Sequence, residues 1–243
     1  GDWSSDVCSS DLKTSPHRVP LKPVSQPSQY LGHFIGHEGP GSILSDLKAR
    51  GWATGLSAGG GSGSAGFDFF RINLSLTATG LGAFLYRPRR AQLAQFFAAH
   101  HQEVLQTIFA YLELLRSTPP QEWTFAEMKQ LGEIAWRWKE HGQPGPMVKN
   151  LASRLHSLGP RERLLVAPYF ATTFDGALIR EMADGLVAKR CRVFVGSKEP
   201  LEGRGEWDLK EQYYSTEYGV RPLEMAHLKV RRGPFPGLFL LPD

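Results

Sequence analysis

Two histidines and an acid hold the most concentrated chemistry in this chain: His33, His37 and Glu38 fall inside the stretch YLGHFIGHEGPGSILSDLKARGW, Tyr30 to Trp52. Imidazoles four residues apart share one face of a helix, as the ligands of zinc motifs H-E-x-x-H and H-x-x-E-H do. The residues between them complete neither motif. Phe34 stands where the first needs its Glu, and Gly36 stands where the second does. Glu38 follows His37 directly, about 100° further around a helix, so it cannot act as base beside a metal-bound water. Metal binding through His33 and His37 is thus the weaker reading. The plainer alternative is that these side chains satisfy turn and helix-end backbone groups.

No other complete active site is written in the chain. None of its eight histidines belongs to an H-x-x-E-H motif. The run Gly59 to Gly63 lacks the strand-turn-helix setting of a serine nucleophile elbow, because a strand pattern follows it. The same fact excludes a phosphate-cradling loop, which must open a helix. Cys8 and Cys191 form no C-x-x-C pair and no framework, which fits a cytoplasmic or organellar protein. Cys191, set in a strand pattern, reads as a small buried hydrophobe.

Composition narrows the class. The 243 residues are 41% hydrophobic and 21% charged, ordinary for a globular chain with a sizeable core. No apolar run reaches the roughly 18 residues of a membrane span. The net charge of +4 comes from scattered Lys and Arg, with clusters only at Arg87 to Arg90 and Arg231-Arg232. Neither cluster is interleaved with stacking aromatics, so nucleic-acid binding is excluded as a reading.

The elements that position the histidines follow from periodicity. A short helix over Tyr30 to Ile35 breaks at Gly39-Pro40-Gly41. A second, Ser42 to Arg50, puts Ile43, Leu44 and Leu47 on one side, with Gly51 as a left-handed cap. Trp52 to Ser57 reads as a strand, and Ala58 to Gly66 as a loop or hairpin tip. Gly66 to Thr77 alternates, with Phe70, Ile72, Leu74 and Leu76 facing inward. His101 to Arg116 stripes Val104, Leu105, Ile108, Phe109, Leu112 and Leu115. A capping box from Thr118 to Gln121 then opens a helix to Lys139 that buries Phe125, Met128, Leu131, Ala135 and Trp138. Helices over Met147 to His156 and Phe174 to Val187 precede a strand from Arg190 to Val195. The fold class is α/β, an α+β roll with an antiparallel-rich mixed sheet backed by helices.

Read as a whole, GHEGPGS with its Leu-rich helix and terminal Gly51-Trp52 resembles the second domain of the pitrilysin family, in its insulysin and nardilysin branch of inverted zinc endopeptidases. Further blocks follow in family order: Pro119-Pro120-Gln121-Glu122-Trp123, Trp136 to Glu140, Ala167-Pro168-Tyr169, Arg192 to Val195 and Ser215-Thr216-Glu217-Tyr218. The resemblance implies that residues 30–243 are one such domain. Its first strand is missing or replaced by Pro-rich sequence, and residues 84–99 are an insertion or a gene-model error. Residues 1–29 are then a non-native or disordered leader, of which 1–12 resemble translated adapter sequence.

What the resemblance implies about function is specific. Zinc and H-x-x-E-H belong to another domain, so this chain has no catalytic residue, binds no metal itself and is inactive alone. It walls a chamber and anchors the amino-terminal part of a peptide at an exosite of His33, Gly36 and Glu38 with Leu56, Ser57 and Ala58 on a strand edge. Its partners are peptide substrates, the missing catalytic domain and the C-terminal half. A homologue that had lost its zinc motif, a non-catalytic binding or scaffold protein, would present the same sequence here.

Overall fold

Pro27 at the first turn starts helix α1 (Pro27–Ile35), where its missing N–H costs nothing and its fixed φ already suits a helix. Tyr30, Leu31, Phe34 and Ile35 face inward from it. Helix α2 (Ile43–Ala49) is specified locally. The Ser42 hydroxyl accepts the Ser45 N–H at 3.1 Å, and Gly51 ends the turn at a φ of 72° that a side chain would disfavour.

The computed structural model describes residues 5–12, 26–64, 67–81, 100–140, 142–157, 161–167, 169, 173–197 and 207–223. Strands β1 (Ser5–Leu12), β2 (Ala53–Ser64), β3 (Phe67–Leu76) and β4 (Cys191–Arg192) form an antiparallel sheet in the order β2-β3-β1-β4. Helices α3 (Ala78–Leu81), α4 (His101–Ser117), α5 (Glu122–Arg137), α6 (Pro144–Ser157) and α7 (Gly176–Gly185) complete the larger elements. A small hairpin of β5 (Leu209–Lys210) and β6 (Glu217–Tyr218) stands apart from the sheet order.

The core joins the apolar face of β3 to α1, α2, α4 and α7. Phe70, Ile72, Leu74 and Leu76 are buried as their alternation requires, as is the whole α4 stripe from Val104 to Leu115. Ile179, Ala183 and Leu186, from α7 and the residue after it, enter the same cluster. The α/β class with a helix-backed antiparallel sheet is thus what the chain forms.

Several expectations are corrected. The glycine run is strand, not loop: Gly59, Gly60 and Gly61 lie opposite Arg71, Phe70 and Phe69 in the β2–β3 ladder. The continuous β3 backbone offers partners that outweigh glycine's poor strand propensity. Ser5–Leu12 runs as β1, so β3 has a strand on each side. Thr118 does not open a capping box; its hydroxyl closes α4 by donating to the Leu114 carbonyl at 2.9 Å, and Gln121 precedes α5 without a side-chain cap. Leu131, Ala135 and Trp138 are exposed rather than buried. On α5 the inward face is Phe125, Met128, Gly132 and Trp136 instead, because Gly132 admits the Tyr169 carbonyl to 2.1 Å from where a Cβ would stand.

The last strand is shorter than the sequence pattern suggests, since only Cys191–Arg192 pairs. Cys191 is half-buried against the core but disulfide-bonded, not a free thiol. The cysteine count therefore lends no support to a reducing compartment. No helix among the described residues is long and apolar enough to cross a membrane. Residues 13–25 and the 84–99 insertion lie outside the described residues.

Candidate functional site

The end of α1 lies against β2, an edge strand of the sheet among the described residues. Glycine at position 32 makes this approach possible. A Cβ at Gly32 would stand 2.9 Å from the Ala58 carbonyl oxygen, and one at Gly36 would stand 3.8 Å from the Ala58 nitrogen. Spaced four apart, the two glycines share one helix face, and that face meets the Ala58 backbone. The predicted residues Gly36 and Ala58 are therefore brought together.

Three hydroxyl contacts from two tyrosines fix α1 in place. Tyr111 of α4 donates to the Phe34 carbonyl at 3.2 Å, and Tyr30 accepts the Gln121 N–H at 2.8 Å while reaching the Gln121 carbonyl at 3.5 Å. Burial pushes both phenol groups above their ordinary range, with Tyr30 drawn back in part by its Gln121 bond. Neither tyrosine ionises at neutral pH. Both stay available as the neutral bridges that the helix end needs.

The remaining site residues take distinct positions. His33 is half-buried in the last turn of α1, set edge-on to Phe34 with ring centres 6.1 Å apart. The His37 ring lies 6.5 Å from that of His33, and its Nδ1 accepts the Gly39 N–H at 3.0 Å. Glu38 is exposed and held by Lys48 of α2 at 3.0 Å, not by β2. Leu56 is half-buried and Ser57 exposed, next along the edge strand. Glu127 on α5 and Lys48 are charged neighbours that periodicity alone did not single out. Lys48 could have been suspected only as the cation ten residues beyond Glu38.

Burial lowers the His33 pKa, Glu127 opposes that shift, and His37 adds to it. A histidine with a depressed folded-state pKa favours folding only while neutral. Its contribution is complete above the unfolded value near 6.5 and is lost as pH falls below it. Urea stability of the wild type is accordingly expected to drop, as pH falls below about 6.5, more than that of His33→Gln. Parallel pH profiles for the two would show that His33 does not carry the dependence.

The chain and its fold match known proteins. Residues 19–131 match the model described as "Peptidase M16 inactive domain", and residues 136–242 match "Middle or third domain of peptidase_M16". The chain belongs to the M16 peptidase family, and its first half corresponds to that family's inactive domain. It is 38% identical over 194 residues to human insulin-degrading enzyme, covering 80% of this chain and 17% of that protein. It therefore spans less than a fifth of that relative's length.

Solved structures agree on the fold. Pitrilysin superposes with a TM-score of 0.73 at 20% identity, covering 93% of this chain and 21% of that one. The inactive peptidase domain of a Bordetella parapertussis protein gives 0.52 at 15% identity, over 84% of this chain and 96% of its own. The boundary between the two family models falls at the end of α5, yet α7 packs into the core built by α1, α4 and β3.

Proposed function

We propose that this chain is the non-catalytic, substrate-anchoring unit of an insulysin-type zinc metalloendopeptidase, and that residues 30–243 act as one domain of it. The observation that carries this reading is the meeting of the α1 end with the edge strand at Ala58. An edge strand offers N–H and C=O groups to an extended peptide, which adds to the sheet as a further strand. Leu56, Ser57 and Ala58 supply that edge. Gly36 keeps the helix end free of a side chain, and His33 borders the helix side. Glu38 pairs with the peptide's amino terminus by exchanging its Lys48 partner for another ammonium group.

The shared core of α7 with α1 and α4 supports a single domain across the family-model boundary. In the whole enzyme this domain walls the chamber, and the catalytic domain and C-terminal half complete it. Zinc does not fit the residues described here. His37 spends its Nδ1 on the Gly39 N–H, and among the described residues no group of three His, Cys, Asp or Glu is placed to hold a metal. We place the metal in a domain outside this chain, as the family resemblance implies, and no step here passes through it.

The test is Glu38→Ala in the uninterrupted polypeptide, with affinities measured by fluorescence anisotropy for carboxy-terminally labelled peptides. A long peptide with a free amino terminus is expected to bind roughly five-fold more weakly. Short peptides and the amino-acetylated long peptide should lose less. Equal losses for all three would refute the anchoring role.

A further inference from the structure

Strand β2 has two unlike faces. Inward, Leu56, Ala58 and Gly60 lie opposite Leu74, Ile72 and Phe70, whose side chains enter the core. Outward, the successive residues are Gly55, Ser57, Gly59 and Gly61, opposite Ser75, Asn73, Arg71 and Phe69. That face of β2 is almost bare of side chains. A Cβ at Gly59 or Gly61 would meet nothing within 4 Å among the described residues, and neither glycine has a positive φ, so no close approach or turn requires glycine there. Behind the bare lane stands β3. Its exposed Arg71 holds the guanidinium carbon 5.6 Å from the centre of the Phe69 ring.

We propose that the outward lane over Gly59 and Gly61 selects peptides that present aromatic side chains on alternate residues, with Arg71 as the specificity-determining residue. The inference rests on the strand-addition reading of β2 and names a substrate class for it. An added strand lies about 5 Å from β2 and about 10 Å from β3, so a side chain opposite Gly59 or Gly61 crosses bare backbone before it meets another side chain. A flat ring laid over glycine shields that backbone, as aromatic partners do for glycines in sheets. Beyond the glycine the ring reaches Arg71. A guanidinium is planar with two faces, and while one faces Phe69 the second can face the peptide's ring. An aliphatic side chain covers the glycine without gaining the cation, and a carboxylate gains only an exposed ion pair of little worth.

The test compares carboxy-terminally labelled peptides with free amino termini, identical except for one alternating pair of Phe, Leu or Glu, by fluorescence anisotropy with the uninterrupted polypeptide. The pair is placed on odd or on even positions, because alternate residues face opposite sides of a sheet. In one of the two placements the Phe peptide is expected to bind roughly five-fold more tightly than the Leu peptide. Gly59→Thr fills the lane where its Cβ meets nothing, so the melting temperature should not fall while the preference shrinks below about two-fold. Arg71→Gln should weaken the Phe peptide roughly three-fold more than the Leu peptide. Equal affinities for the Phe and Leu peptides in both placements overturn the selection. Tighter binding of the Glu peptide overturns it as well, by making Arg71 a reader of acids, and so does a Phe preference that survives both substitutions. If the Phe preference holds but Glu38→Ala has no effect, only the amino-terminal anchor fails; if Glu38→Ala acts without a Phe preference, only the aromatic selection fails.

Discussion

Gly80→Ala is expected to destabilise the fold by about 3 kcal/mol, although the same change in an open helix stabilises by about 1 kcal/mol. The sign reverses because a Cβ at position 80 would stand 2.0 Å from the Trp52 carbonyl oxygen and 2.8 Å from its carbon. That neighbour is backbone, so no rotamer change relieves the clash. The same carbonyl accepts the Thr77 N–H at 2.9 Å, and Thr77 in turn joins Gly51 and Gly80 through its hydroxyl at 2.7 and 3.0 Å. Moving Trp52 aside therefore strains the junction that closes α2, starts β2 and ends β3. Urea unfolding followed by tryptophan fluorescence reads the effect. An unchanged or raised midpoint would mean that α3 shifts as a unit, and the close approach is not what position 80 requires.

Elements whose information is local were legible in the sequence. For α2, Ser42, the Ile43–Leu44–Leu47 face and Gly51 state in turn a start, a side and a stop within ten residues of chain. The alternation in β3 and the stripe of α4 are equally self-contained. Beyond them, the outcome depends on partners far away in sequence. The glycine run became strand because β3 lies beside it, and nothing in Gly59 to Gly61 itself favours a ladder. The two candidate faces of α5 are both apolar, and the choice between them was made by Gly132 meeting Tyr169, a contact invisible in a periodicity. For the proposed site, family-like blocks pointed to Gly36, Glu38 and Ala58, whereas the Lys48 partner of Glu38 and the two tyrosine bridges required the fold.

Gly32→Val is expected to affect the fold and the site together. Helix propensity alone predicts a small gain, since valine costs a helix less than glycine does. Against it stands the Ala58 carbonyl oxygen at 2.9 Å and the Gly59 Cα at 3.4 Å from the new Cβ, before the two methyl groups are added. Both neighbours are backbone of β2, so α1 must move off the edge strand. Overpacking of this kind costs about 2 kcal/mol, which exceeds the propensity gain. The displacement would also disturb the β2 edge with which a peptide is proposed to pair, and affinity for a long peptide should fall roughly ten-fold in variants that remain folded. Glu38→Ala provides the contrast, because its exposed carboxylate contributes little to stability. Loss of stability with unchanged peptide affinity in Gly32→Val would separate the helix–strand contact from binding. It would place the anchor at Glu38 and the turn alone.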